Sequence, residues 1–466
     1  MASSSAGPKA AKLAKLQNFK AKLPAHTQAA LSAMIAEAQK HGLPELHTKK
    51  HQLQAREQLL ASFHDPVLGP LVQSIDMELA EGGTTTMYFA NFLVYLLGLC
   101  QQGGSYSQLF HTTHQLTPST FDKPWRLIVY CDEIIPGNVL GRATRKCWCI
   151  YATFLEYGQH LSQEDAWLTL ATERTSFVSQ LDARVSQMLN HVLLSIFCHP
   201  ACNPTQGMLL PGPNGGARFF FTFAMLLADG AAQKLAWSSK GDSGDKFCIL
   251  CANVRGSAPP QEDPDDPNQL VHTTFKYSDL VIVQDQELLD SYARLDAKKH
   301  TTTSKQFEHW QKATGWTWSK NALLLSQPLL EKGLLKPCQQ FCHDWMHGIL
   351  QGTAPVVLYQ TLAIVSQEGL PVWSMLERYT KEWVLPAAWK CGHVHQLFDK
   401  KKVEKYKNSQ RFACQASECL TLFPLVRHFL HTLVAKHGQC LEACETFFAT
   451  ATVIDIIHQG CCSCWQ

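Results

Sequence analysis

The run LIVYCDEIIPGN, residues 127–138, decides how this chain is read. Four apolar residues and a cysteine lead directly into two adjacent acids, Asp132 and Glu133, and a Pro-Gly-Asn turn follows. Length and apolar density mark a buried β-strand. A carboxylate inside such a strand is costly unless it is paired, protonated or bound to a cation. The segments around it show the same strand character. CWCIYATFLEY at 147–157 and AWLTLATER at 166–174 read as a second and a third strand, close enough to form a meander. A long helix follows in SQLDARVSQMLNHVLLSIFC, where apolar residues recur every three or four positions. ARFFFTFAMLLADG at 217–230 reads as a bent strand ending in Asp229, with a helix expected at 231–239. Three strands, a helix, a strand and a helix point to a mixed α/β fold built on one sheet.

If the first and fourth of these strands lie side by side, Asp132 and Asp229 converge at one edge. Two carboxylates held close together repel, and a divalent cation removes the penalty; two-metal phosphoryl transfer uses that arrangement. The plainer reading is that each acid closes a strand end and faces water.

The totals set the frame. Of 466 residues, 45% are hydrophobic and 17% charged, which is a folded composition rather than a disordered one. A formal charge of +2 advertises no polyanion partner globally, so nucleic-acid binding would have to use local patches. The N-terminal stretch has a basic run without an apolar core of signal-peptide length. The longest apolar runs, such as MYFANFLVYLLGLC at 87–100, fall short of the ~18–20 residues of a membrane span. The expectation is a soluble, intracellular protein with reduced thiols, despite 18 scattered cysteines.

Four stretches are distinguished along the chain. Residues 1–120 are expected to be mainly helical, with a lysine-bearing face at Lys9, Lys12, Lys15, Lys20 and Lys22 that touches phosphate or is simply solvated. Residues 121–254 form the α/β core. Residues 255–335 open with the acidic, proline-rich RGSAPPQEDPDDPNQL and read as an insertion. Residues 336–466 return to apolar helices.

At this cysteine frequency about one CxxC pair arises by chance, so Cys248/Cys251 and Cys461/Cys464 are weak alone. In HDWMH, His343 and His347 stand four apart, which places them on one face of a helix. With Cys248 and Cys251 they make a chemically reasonable tetrahedral zinc set that would staple the insertion to the sheet, Asp344 being an alternative ligand or an outer partner. A hydrolase built on HDWMH is the competing use of these residues, though Asp344 is one methylene shorter than the glutamate of an HExxH base. CGHVH at 391–395, the i,i+4 cysteine pairs, and the lysine run DKKKVEKYK at 399–407 carry no function by pattern; the last either follows a nucleic-acid backbone or is solvated.

The combination of VYCDEIIPGNVLG with RK and YATFLEY, then LLADGAAQKLA with KGDSGDKFCILC, then HDWMHGIL, resembles the DDE transposases of the CACTA/Plavaka-type group. These cut-and-paste enzymes are relatives of the recombinase that assembles antigen-receptor genes. The resemblance covers about 125–255 and 335–430. It implies an RNase H-like mixed sheet with flanking helices, a mainly helical N-terminal region, and an insertion between the last core strand and the C-terminal helices. It implies Asp132 and Asp229 as the first two catalytic acids with Mg²⁺, and Cys248, Cys251, His343 and His347 around a structural Zn²⁺. DNA is the implied partner, with a homodimer allowed and the nucleus as location. Glu133 is then a neighbour of the first acid. The family's third acid, a glutamate on a later helix, has no clear counterpart. Glu368 and Glu418 stand in the right part of the chain, and the expectation is a catalytic domain cut short, with a non-catalytic DNA-binding protein as the alternative.

Overall fold

The computed structural model describes residues 64–135, 146–210, 216–256, 276–385 and 393–463, with residue 50 and short pieces at 261–262, 270–271 and 274. The side chains of Gln102, His343 and residues 459–463 fall outside that description. The expected basic helices before residue 63 also lie outside the described residues.

A hairpin opens the described chain: β1 (Val72–Glu78) pairs antiparallel with β2 (Thr84–Ala90). Helices α1 (Phe92–Gln102) and α2 (Ser105–Leu116) follow. Asn91 starts α1 as its N-cap, accepting from the Leu93 amide at 3.0 Å while its own amide donates to the Leu68 carbonyl at 3.0 Å. That double use explains why a fully buried asparagine is tolerated.

Residues 127–138 do begin as a strand. β3 (Trp125–Ile134) is the middle of a five-stranded sheet, flanked by β4 (Cys147–Phe154) and then β5 (Leu168–Arg174), both antiparallel to their neighbours. On its other side lie β6 (Phe221–Ala228) and the three-residue β7 (Phe341–His343), parallel to it and to each other. The chain bends at Phe220, between the short Ala217–Phe219 strand and β6, as expected from sequence. Helix α3 (Arg184–Phe197) connects β5 to this half, burying Val185, Met188, Leu189, Val192, Ile196 and Phe197 on one stripe. An antiparallel meander followed by two parallel strands, with the first strand central and helices packed on the sheet, is an RNase H-like arrangement.

Trp125, Phe154, Phe219 and Phe221 pack under the far end of β3, in mostly edge-on contacts at 5.0–5.5 Å. They fix the amino end of the central strand and leave its carboxyl end to polar residues. β6 runs into α4 (Gly230–Ala236). The insertion supplies α5 (Asp285–Lys299) and α6 (Ser304–Thr314), and β7 comes after it.

Past β7 the chain forms one rod, Met346–Gln367, starting with π-helical turns and continuing as α7 (Ala354–Gln367). Pro355 has no amide to donate to a carbonyl four residues back, which favours the wider turns just before it. The rod is long and apolar enough to cross a membrane by length and composition, unlike the runs considered from sequence. Here Ala354, Leu358, Leu362 and Val365 are buried in a helical core instead. That core is shared with α8 (Val372–Lys381), α9 (Lys400–Ser409), α10 (Ala416–Phe429) and α11 (Leu441–Ser463).

Candidate active site

Strand register puts the acids together. In the β3–β6 pair Leu227 lies opposite Tyr130, so one and two steps on Ala228 meets Cys131 and Asp229 meets Asp132. In the β6–β7 pair Ala228 lies opposite His343, so one step on Asp229 meets Asp344. Parallel strands at one register point equivalent side chains to the same face. Three aspartates therefore stand at the carboxyl ends of three neighbouring parallel strands.

Asp132 is half-buried, and burial pushes its carboxyl pKa up; the Tyr130 hydroxyl, donating to Oδ2 at 2.8 Å, opposes this, and the Asp229 charge raises it further. Tyr130 keeps its proton more tightly than a free tyrosine, because of burial and then the bond to Asp132. Its ring is held by stacking on Tyr151 at 5.9 Å and by an edge contact with Trp167 at 6.0 Å. Beneath them the buried Cys131 thiol is raised by desolvation and by the charges of Asp132 and Asp229.

Asp229 caps α4, accepting from the Ala232 amide at 2.6 Å through Oδ1. Its other oxygen makes no hydrogen bond among the described residues. Asp344 accepts from the Met346 amide at 2.9 Å through Oδ1 and from the His347 ring through Oδ2. A carboxylate can only accept, so Nδ1 of His347 carries the hydrogen in this bond. The His347 charge reaches Asp132, which places this ring with the acids.

Glu133, the other acid of the opening run, points to the opposite face by strand alternation. Burial would raise its pKa, but the Lys146 ammonium at 2.7 Å and the Thr175 hydroxyl at 2.8 Å bring it below the usual carboxylate value. It is a paired structural carboxylate.

The short β7 stays in register because two buried glutamines clamp it. Gln233 of α4 donates to the Leu226 carbonyl at 2.9 Å and to the Cys342 carbonyl at 2.7 Å, joining the fourth and fifth strands. Gln340 donates to Phe223 at 3.1 Å and to Leu334 at 2.6 Å.

The expected pairing of His343 and His347 on one helix face is corrected by these elements. His343 ends a strand and His347 lies in the first turns of the rod, so no helical spacing relates them. A two-residue apolar pair, Phe341–Cys342, is enough for a strand when an existing edge captures it. Cys248 and Cys251 are close, with a thiol–thiol hydrogen bond, and burial followed by the Cys248 charge pushes the Cys251 thiol up to about 11. Among the described residues, no group of three or more His, Cys, Asp or Glu could hold a metal ion. His347 is therefore not gathered with Cys248 and Cys251. Hydrogen bonds join the segments around these cysteines to the insertion. Ala252 donates to Val281 at 2.8 Å and Asp245 to Lys312 at 2.9 Å, and the Cys338 amide donates to Asp285 at 2.7 Å.

Glu418 forms the capping box of α10 and meets His393 at 3.1 Å; Glu368 closes α7 at its C-terminus. Neither is among the charges acting on Asp132, and Asp344 is not among them either; the Asp344 charge acts on the Tyr130 hydroxyl beside it. Sequence reasoning took Asp344 only as a zinc ligand, an outer partner or a hydrolase base, and left Tyr130 aside. A partial signal for Asp344 was present: in FCHD two apolar residues and a histidine lead into the aspartate, as apolar residues do in VYCD and LLAD.

All three carboxylates offer oxygen, the donor chemistry that Mg²⁺ takes. The absence of a metal-holding group of three or more such side chains among the described residues applies to these aspartates too, and Asp229 and Asp344 each commit an oxygen to a backbone amide. No protein-family model matches the chain, and no curated protein does.

Proposed function

We propose that the chain is a DDE-type phosphoryl-transfer protein that acts on DNA in the nucleus, with Asp132, Asp229 and Asp344 as its carboxylates. The observation that supports this reading is the common register of the three aspartates at the ends of β3, β6 and β7. Asp344 takes the place left open for a third acid, in preference to Glu368 or Glu418. Bound between Asp132 and Asp229, Mg²⁺ would supply Lewis-acid stabilisation of charge on the phosphodiester oxygens. Tyr130 orients Asp132 by its hydroxyl. Asp344 fixes the His347 ring so that Nε2 can accept a proton from an attacking water or 3′-hydroxyl. Cleavage is then hydrolysis of a phosphodiester, and strand transfer is attack by the released 3′-hydroxyl on a second duplex. Cys248 and Cys251 offer two thiolate donors for a structural zinc, which needs further ligands and enters no step.

The test is nicking of supercoiled DNA by the full chain in Mg²⁺, compared with Asp132→Asn and Asp344→Asn. Loss of nicking in both variants with DNA binding retained supports the assignment. Nicking that survives Asp132→Asn rejects it. The open carboxylate set favours one second reading, a DNA-binding protein that keeps this fold without turnover. In that case the wild-type chain binds DNA and never nicks it.

A further inference from the structure

Helix α9, Lys400–Ser409, breaks a local rule of helix design. Its first turn carries Lys400, Lys401 and Lys402 at the end where the helix dipole is positive, and no acid lies in that turn. Each such lysine there is unfavourable when exposed. The N-cap Asp399 makes no side-chain capping bond that would offset this. Residues 399–411 hold six basic side chains against two acids, so this short segment is more positive than the whole chain, whose formal net charge is +2. One of those acids, Glu404, is bonded to Lys407 at 3.1 Å within the patch. Lys400, Lys401 and Lys405 are exposed and make no ion pair among the described residues.

The face is rigidly mounted. Val403 and Tyr406 are buried on its reverse side, Tyr406 meets Phe412 at a ring distance of 4.4 Å, and the Phe412 amide donates to the Pro355 carbonyl at 3.1 Å. Pro355 lies in the rod that starts beside Asp344, eleven residues on. At about 1.5 Å per residue, Pro355 lies roughly 16 Å along the chain direction from Asp344.

We infer that the lysine face of α9 is a docking surface for the phosphate backbone of duplex DNA. The choice of DNA as the polyanion rests on the proposed function; the excess of positive charge on the face does not. The contacts are to phosphate, so the face sets affinity and register rather than sequence preference.

The experiment measures binding of the full chain to a labelled duplex by fluorescence anisotropy, from 50 to 200 mM salt, for the wild type and a quadruple Lys400/Lys401/Lys405/Lys407→Gln variant. Each lost phosphate contact flattens the slope of log affinity against log salt by about 0.9, so the quadruple variant should flatten it by about 3–4. A thermal melt checks folding; with like charge removed from the positive helix end, the quadruple variant should melt no lower than wild type. An unchanged slope in the folded variant overturns the proposal. So does a variant that keeps its duplex affinity and loses only binding to anionic vesicles, which would assign the face to a membrane. If nicking fails in every form while the slope still flattens, the catalytic reading falls and this surface stands.

Discussion

Replacing Gln233 by methionine removes the two hydrogen bonds that tie β7 to β6 while keeping the side chain's length and apolar fit. Gln233 is 2% exposed, so water cannot substitute for the amide. Its Nε2 serves the Leu226 and Cys342 carbonyls at 2.9 and 2.7 Å. Two buried neutral hydrogen bonds contribute about 1 kcal/mol each, and a carbonyl left without a partner costs about 1–3 kcal/mol, so the change should weaken this edge by about 2–4 kcal/mol. The loss is local, because β7 is three residues long and Gln340 holds only its start. Amide hydrogen exchange is the assay that resolves it. At about 1.4 kcal/mol per tenfold, protection at residues 341–344 should fall some 30- to 1,000-fold, with β3 and β4 little changed. Because Asp344 rides on β7, Mg²⁺-dependent nicking should fall with it. Unchanged protection at 341–344, or a loss spread evenly over the sheet, would refute the clamp and with it the account of how the third aspartate is positioned.

Two more outcomes follow from the same edge. Burial and Asp229 raise the pKa of Asp132. The folded state therefore binds this proton more tightly than the unfolded state, and metal-free stability should fall as pH rises from the unfolded carboxylate value through the folded one. Urea denaturation across that window should show the trend in the wild type and a weaker one in Asp132→Asn; equal slopes would mean Asp132 is not strained. Any zinc that the purified chain holds should depend on Cys248 and Cys251 and not on His347, whose ring is bonded to Asp344. Elemental analysis of His347→Gln checks this, and zinc lost in that variant would restore the Cys₂His₂ set.

Much of the sheet was legible because its first four strands are apolar runs of seven residues or more, each bounded by turns or helices. The alternation in β3 separates Asp132 from Glu133 in the same way. What the sequence concealed has physical causes. β7 is too short to show a period and depends on hydrogen bonds to residues more than a hundred positions away. HDWMH looked helical throughout because its second half is. The β1–β2 hairpin alternates, but its outward positions mix threonine and tyrosine with charge, so it was absorbed into the stretch expected to be mainly helical.

The most direct measurement is a crystal of the full chain soaked in Mn²⁺, with the ion located by its anomalous scattering. An ion bridging Asp132 and Asp229, within reach of Asp344 and lost in Asp132→Asn, is the predicted result. A well-ordered edge that stays free of metal at millimolar Mn²⁺, or an ion bound elsewhere with these carboxylates untouched, would contradict it.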